Sequence, residues 1–181
     1  LVYEAAKEVM AVFGHMKADE MALAYPMMLV RADARLKARE HPAPASQSGL
    51  TYSDVTVHQF KQPYTKFFAL QEADMSVPRF DGGIEERVYR AGFLGTDASI
   101  VLPYDPIRDR VLLVEQFRFG PFLRDDPNPW LMEPIAGRVD VGETPEMAAM
   151  READEESGLA LSALHKVHCG YASPGCSTEY F

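Results

Sequence analysis

Three glutamates near the end of a predicted helix are the residues of this 181-residue sequence best suited to do chemistry. Glu155 and Glu156 follow Glu152 by three and four residues, so the three carboxylates crowd one edge of the helix. Like charges at this spacing repel one another, and they also face the negative end of the helix dipole. A bound divalent cation would offset both effects, whereas the usual alternative for an acidic run is a solvated helix face.

The helix that carries these glutamates is predicted from signals at both of its ends. Thr144 can cap the N-terminus, Pro145 suits the first helical position, and Gly158 can supply the left-handed residue that ends a helix. The spacing therefore predicts a helix over residues 145–157. Two small residues within it, Ala149 and Ala153, fit a helix that packs tightly against a sheet.

The spacing of the whole segment GRVDVGETPEMAAMREADEESGL, residues 137–159, decides between a metal site and a solvated face. Five residues separate Gly137 from Glu143, and seven more separate Glu143 from Arg151, which begins the run READEESGL. This pattern resembles the Nudix signature at every specified position. The resemblance favours the metal site.

The resemblance implies a fold, a cofactor and a set of site residues. The implied fold is α/β, a Nudix α/β/α sandwich with a mixed β-sheet in which the signature forms a loop, a helix and a loop. The implied cofactor is Mg²⁺, with Mn²⁺ as a substitute. The implied metal ligands are the carboxylates of Glu152, Glu155 and Glu156 and the carbonyl of Ala136, and the implied catalytic residues are the same three glutamates with the ion pair of Arg151 and Glu143.

Residues on both sides of the signature resemble the ADP-ribose pyrophosphatase branch of the family. Gln116-Phe117-Arg118 and Glu133-Pro134-Ile135-Ala136-Gly137 precede it, and Tyr171-Ala172-Ser173-Pro174-Gly175 follows it, with Glu179 four residues past that glycine. This likeness implies substrate-binding roles for Arg118, Glu133, Ser173, Gly175 and Glu179. Taken alone, the arginine at a strand end is more often a surface ion pair, and Ser-Pro-Gly is more often a simple turn.

The function implied by this likeness is Mg²⁺-dependent hydrolysis of a nucleoside diphosphate linked to another group. ADP-ribose, cleaved to AMP and ribose 5-phosphate, is the first candidate substrate. GDP-mannose, another nucleoside diphosphate sugar or NADH is the alternative within the hydrolases. A domain that senses ADP-ribose without cleaving it is the alternative outside them, although the intact glutamates argue against it.

The rest of the chain predicts two segments before the Nudix domain. Residues 1–49 read as a helix pair, in which Pro26 should begin or kink a helix, followed by a Pro- and Ser-rich linker. Residues 50–97 read as antiparallel strands with a turn at Asp81-Gly82-Gly83. The Nudix domain is expected over residues 98–181, incomplete at its C-terminus, with two buried strands and a turn within residues 99–117. Most of the chain is also similar to the Nudix half of tellurite-resistance-type Nudix proteins.

The region of residues 50–97 has a further implication drawn from the family. In ADP-ribose pyrophosphatases a small β region before the Nudix fold is exchanged between subunits, which implies a homodimer here. Tyr64, Phe67 and Phe68 are the aromatic candidates for stacking on an adenine, and their alternative role is that of core residues in a hairpin.

Composition excludes several other classes of function. The net charge of −9 disfavours nucleic acid, because a polyanion is bound mainly through Lys and Arg. No apolar run is long enough to span a bilayer and no signal-peptide pattern begins the chain, so we expect a cytoplasmic protein without a membrane partner. Only two cysteines, Cys169 and Cys176, are present, and they indicate neither disulfides nor a thiolate metal site.

Overall fold

The predicted helix pair is present at the start of the chain. A computed structural model describes residues 1–181 and contains α1 (Val2–Ala11) and α2 (Ala18–Glu40). Pro26 lies within α2, so the expectation that it begins a helix is wrong, and the alternative of a kink stays a prediction. The helix continues through the proline because the residues that follow it, Met27 and Met28, are buried and stabilise this turn by packing.

A ladder of ion pairs joins α1 to α2. The Glu8 carboxylate accepts hydrogen bonds from Arg31 at 2.7 and 2.9 Å and from Arg35 at 2.5 Å. One turn earlier in α1, Glu4 accepts from Arg39 at 2.8 and 3.2 Å. The pairing of early α1 residues with late α2 residues shows that the two helices run antiparallel.

The residues after the linker form an antiparallel sheet. A short 3-10 helix (Tyr52–Asp54) leads into β1 (Thr56–Thr65), β2 (Ala69–Pro78) and β3 (Ile84–Leu94), in the order β1-β2-β3. Arg31 donates from Nη1 to the carbonyl of Phe67, in the turn between β1 and β2, at 3.0 Å. The predicted turn between β2 and β3 is confirmed, and within it the Asp81 carboxylate accepts from the Gly83 amide at 3.0 Å.

Aromatic side chains in this sheet are not the core residues of a hairpin. Tyr64, Phe67 and Phe68 are all exposed, so their interpretation as core aromatics is wrong. The alternation of side chains in a strand assigns residues to two faces, but it does not say which face another element covers. Phe68 contacts the ring of Phe93 on β3, with 4.7 Å between the ring centroids.

Two compact units divide the chain. The first unit comprises Leu1–Asp97 and Gly170–Tyr180, and the second comprises Ala98–Cys169 and Phe181. The segment of residues 170–180 joins the first unit through the end of β3: the Phe93 amide donates to the Cys176 carbonyl at 2.7 Å, and the Thr178 amide donates to the Phe93 carbonyl at 3.0 Å. The division of the sequence at residues 49/50 and 97/98 stays a prediction.

The second unit is built from short antiparallel ribbons and one long helix. Its strands pair as β4 with β9, β5 with β6 and β7 with β8. The elements are β4 (Ala98–Val101), β5 (Tyr104–Asp105), β6 (Arg110–Val111), β7 (Val114–Phe117), α3 (Phe119–Leu123), β8 (Trp130–Glu133), β9 (Ile135–Arg138) and α4 (Pro145–Ser157). The α/β class is confirmed, and the strands of this unit pair as these three antiparallel ribbons.

The expectation of two buried strands within residues 99–117 is wrong. Four strands of two to four residues occupy this stretch, and apolar side chains such as Ile100, Tyr104 and Val111 are exposed. An apolar run indicates burial only where another element covers it. None of the helices in the structure is long and apolar enough to span a membrane.

Candidate functional site

The helix that carries the three glutamates has the predicted bounds. α4 runs from Pro145 to Ser157, the Thr144 hydroxyl accepts from the Met147 amide at 3.3 Å, and Gly158 is left-handed with φ of 67°. The helix packs on β4 and β9, and its buried face consists of the alanines at positions 148, 149 and 153. These small side chains bring the helix backbone close to the ribbon. Glu152 lies at the edge of this packed face, whereas Glu155 and Glu156 are exposed.

Gly137 on β9 lies directly under the Glu152 carboxylate. A β-carbon added at Gly137 would stand 1.9 Å from both Cδ and Oε1 of Glu152, so only glycine leaves space for this side chain. Ala136, the predicted carbonyl ligand, is its neighbour on the same strand and pairs with Ile100 of β4. The packing of α4 on β9 therefore brings one predicted carboxylate ligand next to the predicted carbonyl segment.

Arg151 is the centre of the hydrogen-bond network around this helix. Its Nε and Nη2 donate to the two oxygens of Glu143, both at 2.9 Å, and Nη2 also donates to the Arg138 carbonyl at 2.9 Å. Its Nη1 donates to Oε1 of Glu152 at 2.6 Å and to Oε2 of Glu155 at 3.2 Å. Hydrogen bonds to Glu143 and then to Glu152 raise the pKa of the Arg151 guanidinium above its ordinary value, so it stays charged.

Glu156 is held by a different residue. Its Oε1 accepts from Nε2 of Gln116, on β7, at 3.1 Å. Gln116 received no role in the sequence analysis. The signal that could have identified it is the period of two in a strand, which places Gln116 on the same face of β7 as Arg118.

Arg118 and Glu133 form an ion pair across the β7–β8 ribbon. Nε of Arg118 donates to Oε2 of Glu133 at 2.6 Å, and both side chains are half-buried. The Arg118 amide also donates to the Pro129 carbonyl at 2.7 Å, which extends the ribbon by one residue. Two of the predicted substrate-binding residues are thus in direct contact.

The other three predicted substrate-binding residues belong to the first unit. The Ser173 hydroxyl contacts Sγ of Cys176 at 3.3 Å, and Gly175 lies in the turn between them. The Glu179 carbonyl accepts from the Ala172 amide at 3.3 Å. These contacts close residues 170–180 into a small loop next to Gly95, where an added β-carbon would stand 3.1 Å from Cβ of Glu179.

The donor set of the second unit fits a divalent cation in its chemistry. Carboxylate and backbone carbonyl oxygens are hard ligands of the kind that Mg²⁺ and Mn²⁺ prefer. The absence of a side chain at Gly137 lets the Glu152 carboxylate lie against β9, where Ala136 is the neighbouring residue. In the structure, however, no group of three or more His, Cys, Asp or Glu side chains is arranged to hold a metal ion. Arg151 holds Glu152 and Glu155, and Gln116 holds Glu156.

Comparison with known proteins supports the sequence pattern. Residues 95–180 match the NUDIX domain model. The chain is 36% identical over 127 residues to an ADP-ribose pyrophosphatase of Escherichia coli strain K12, which is 70% of this chain and 60% of the relative. It is 40% identical over 118 residues to an ADP-ribose pyrophosphatase of Haemophilus influenzae, which is 64% of this chain and 54% of the relative.

Two further comparisons broaden this set. A GDP-mannose pyrophosphatase of Cronobacter sakazakii is 33% identical over 113 residues, which cover 62% of this chain and 58% of the relative. A solved structure described as an ADP compounds hydrolase has a similar fold, with a TM-score of 0.56 and 17% identity over 72% of this chain and 65% of that chain. The chain thus spans about three fifths of the length of the relatives that it matches. Residues 95–180 of this chain thus match the NUDIX domain family.

Proposed function

We propose that the chain takes part in the divalent-cation-dependent hydrolysis of ADP-ribose to AMP and ribose 5-phosphate. The observation that carries the proposal is the arrangement of Glu152, Glu155 and Glu156 along one helix packed on Gly137, in a chain similar to ADP-ribose pyrophosphatases. Because the chain spans only part of those relatives, activity and substrate are proposals for this protein.

Hydrolases of this family generally use divalent metals, and we propose Mg²⁺, with Mn²⁺ as a substitute. A bound cation would offset the negative charge of the diphosphate and make water more acidic. Glu152, Glu155, Glu156 and the Ala136 carbonyl would hold it. Nη1 of Arg151 now donates to two of these carboxylates, so cation binding at Glu152 and Glu155 competes with this one nitrogen.

The remaining residues of the second unit position these ligands and the substrate. Two hydrogen bonds from Arg151 to Glu143, together with the bond to the Arg138 carbonyl, fasten the loop before α4 onto the helix. They do not involve Nη1, so they can persist when Nη1 releases the ligands. Arg118 is proposed to bind a phosphate of the substrate, and Glu133 orients its guanidinium through Nε.

Replacement of Glu156 by Gln tests the proposed chemistry. This variant keeps the size of the side chain and removes its charge, so turnover of ADP-ribose with saturating Mg²⁺ should fall by about 100-fold or more, since the lost charge stabilisation is worth several kcal/mol. The matched control is Asp154→Asn, an exposed residue of α4 at a position that the Nudix signature leaves open. It should retain most of the turnover, and equal turnover of both variants would rule out the metal assignment.

The substrate is tested by offering several nucleoside diphosphate derivatives in parallel. ADP-ribose, GDP-mannose and NADH should be compared at equal concentration, with products separated by chromatography. GDP-mannose is the second candidate because a GDP-mannose pyrophosphatase is among the relatives. The proposal is supported if ADP-ribose has the highest kcat/KM of the three compounds and yields AMP and ribose 5-phosphate. A higher kcat/KM for GDP-mannose would make GDP-mannose the substrate instead.

A sensor that binds ADP-ribose without cleaving it remains the alternative outside the hydrolases. Isothermal titration calorimetry with ADP-ribose and Mg²⁺, followed by product analysis of the same sample, separates the two. Heat of binding with intact ADP-ribose recovered would favour the sensor. Conversion to products would exclude it.

We also propose that Ser173, Gly175 and Glu179 in the first unit contact the substrate.

A homodimer formed through residues 50–97 is a further proposal. Support for the dimer comes from the large apolar side chains that the three-stranded sheet exposes, which include Phe60, Tyr64, Ile84 and Tyr89. Sedimentation equilibrium of the parent chain should give twice the mass of one chain. The Phe60→Lys variant should have the mass of a single chain. A monomeric parent chain would overturn the dimer.

A further inference from the structure

Gln116 and Glu156 are 40 residues apart in the sequence and in contact in the second unit. Nε2 of Gln116 donates to Oε1 of Glu156 at 3.1 Å. The contact joins β7 to the C-terminal part of α4. No other protein group hydrogen-bonds to the Glu156 carboxylate, and Oε2 is left without a partner.

The ribbon backbone determines which side chain reaches the helix. Along β7 and the residue after it, Val114, Gln116 and Arg118 are half-buried, whereas Glu115 and Phe117 between them are exposed. Gln116 pairs with Leu131 of β8, which is also half-buried, so both side chains share the covered face of the ribbon. Its half-buried position on a paired strand restricts the Gln116 side chain, and the amide reaches Glu156 at the solvent-exposed edge.

Glu156 needs such a donor more than the other glutamates do. It is exposed, it lies in the last turn of α4, and Glu152 and Glu155 repel it. Without a partner its side chain would sample several rotamers, and the two neighbouring carboxylates would favour those that point away from them. The amide of Gln116 removes that freedom.

We propose that Gln116 is a positioning residue for the Glu156 carboxylate. This inference rests on the proposed function, in which Glu156 binds a divalent cation. Gln116 donates to Oε1, and no protein group in the structure donates to Oε2. Because the amide is neutral, it orients the carboxylate without neutralising it, in contrast to the guanidinium of Arg151 on Glu152.

The test measures cation binding in the absence of substrate. Mn²⁺ is titrated into the 181-residue chain and free Mn²⁺ is followed by electron paramagnetic resonance. Gln116→Met keeps the length of the side chain and removes the donor, and it should weaken Mn²⁺ binding by about 10- to 100-fold, the usual effect of losing a group that orients a metal ligand. Gln116→Asn keeps the amide on a shorter stem, so its Mn²⁺ affinity should lie between those of Gln116→Met and the parent chain.

The matched control is Glu115→Met, next to Gln116 on the exposed face of β7. It should change the Mn²⁺ dissociation constant by less than about threefold, within the usual range of surface substitutions. Thermal unfolding midpoints of all variants establish that they fold. Equal Mn²⁺ affinities of Gln116→Met and Glu115→Met would overturn the positioning role.

A double-mutant cycle shows whether Gln116 acts through Glu156. Once Glu156→Gln has removed the carboxylate, adding Gln116→Met should have no further effect on Mn²⁺ binding. An additional loss equal to that of the single variant would overturn the inference. If Glu156→Gln itself leaves Mn²⁺ binding unchanged, the proposed function fails and the inference fails with it. A loss in Glu156→Gln without one in Gln116→Met removes only the role of Gln116.

Discussion

The Glu152 carboxylate lies against the α-carbon of Gly137, where a β-carbon would stand 1.9 Å from Cδ and Oε1 of the glutamate. Alanine at position 137 must therefore displace the carboxylate. The clash is with the end of a side chain and not with backbone, so the cost to folding is small while the cost to the site is large. We expect Gly137→Ala to weaken Mn²⁺ binding by about 10- to 100-fold.

The control for this prediction is Gly120→Ala in α3. An added β-carbon there meets no atom within 4 Å, so Mn²⁺ binding should match that of the parent chain. Thermal unfolding of both variants should show midpoints within a few degrees of the parent, as expected for changes of about 1 kcal/mol. A Gly137→Ala variant that binds Mn²⁺ normally would show that the Glu152 position in the structure is unrelated to metal binding.

The buried ion pair between Arg31 and Glu8 predicts a large effect on stability. Their side chains are 1% and 4% exposed, and Arg31 also binds the Phe67 carbonyl. Arg31→Met leaves the Glu8 charge buried with reduced compensation, and it should lower the free energy of unfolding by about 3–5 kcal/mol. Urea denaturation followed by circular dichroism measures this change.

The control for Arg31→Met is a variant that breaks a solvent-exposed ion pair. Arg79 pairs with Asp81, and both side chains are 55% exposed. Arg79→Met should therefore cost less than about 1 kcal/mol. Similar losses from the two variants would mean that the helix pair does not depend on its buried charges.

Local signals explain which parts of the fold the sequence could predict. The bounds of α4 follow from Thr144, Pro145 and Gly158, which act on their own turns of the helix whatever surrounds them. The pairing of Arg151 with Glu143 was likewise expected, because the resemblance of this segment to the Nudix signature implies it.

Contacts between residues far apart in the sequence explain most of the features that the sequence could not predict. The period of two in β7 places Gln116 on the face of Arg118, but it does not show that this face reaches Glu156 of α4. A different reason applies to Nη1 of Arg151, which donates to Glu152 and Glu155 where a cation was expected. These residues are one and four positions along the same helix, so this contact is local, and the metal-ligand interpretation left it out. Phe67 and Phe68 are exposed, although they are apolar. The type of a residue does not predict whether another element of the fold covers its side chain.

Asp97 predicts a pH dependence of stability in the first unit. Burial raises the pKa of its carboxyl from 3.8 to about 6, an effect that Lys37 opposes and Asp33 adds to. The folded state thus binds this proton more tightly than the unfolded state, and stability falls as the pH rises from about 4 to about 6. Glu4 acts mainly below this window and with the opposite sign. Arg39 and Lys7 lower its pKa from 4.5 to about 2, so its contribution to stability is lost as the pH falls from about 4.5 to about 2.

Asp97→Asn removes this penalty, because an amide cannot ionise. The variant should be more stable than the parent chain by about 1–2 kcal/mol at pH 7.5 and equal to it near pH 4, with the difference growing between these values. Free energies of unfolding at four pH values test this expectation. A constant difference between the two proteins across the range would contradict the raised pKa.

Arg118 predicts an effect on substrate binding and not on the chemical step. Its Nε donates to Glu133, which holds the plane of the guanidinium and leaves the two Nη groups for the phosphate contact that we propose. Arg118→Ala should raise the KM for ADP-ribose by about 10- to 100-fold, equivalent to one or two charge-assisted hydrogen bonds, and change kcat by only a few fold. Arg118→Lys keeps the charge without the planar fork and should recover part of the loss.

The exposed Arg110 of β6 provides the control, because Arg110→Ala removes the same charge from the same unit and should leave KM unchanged. A fall in kcat with unchanged KM would place Arg118 in the transition state of the reaction instead, because only an interaction absent from the bound ground state lowers kcat alone.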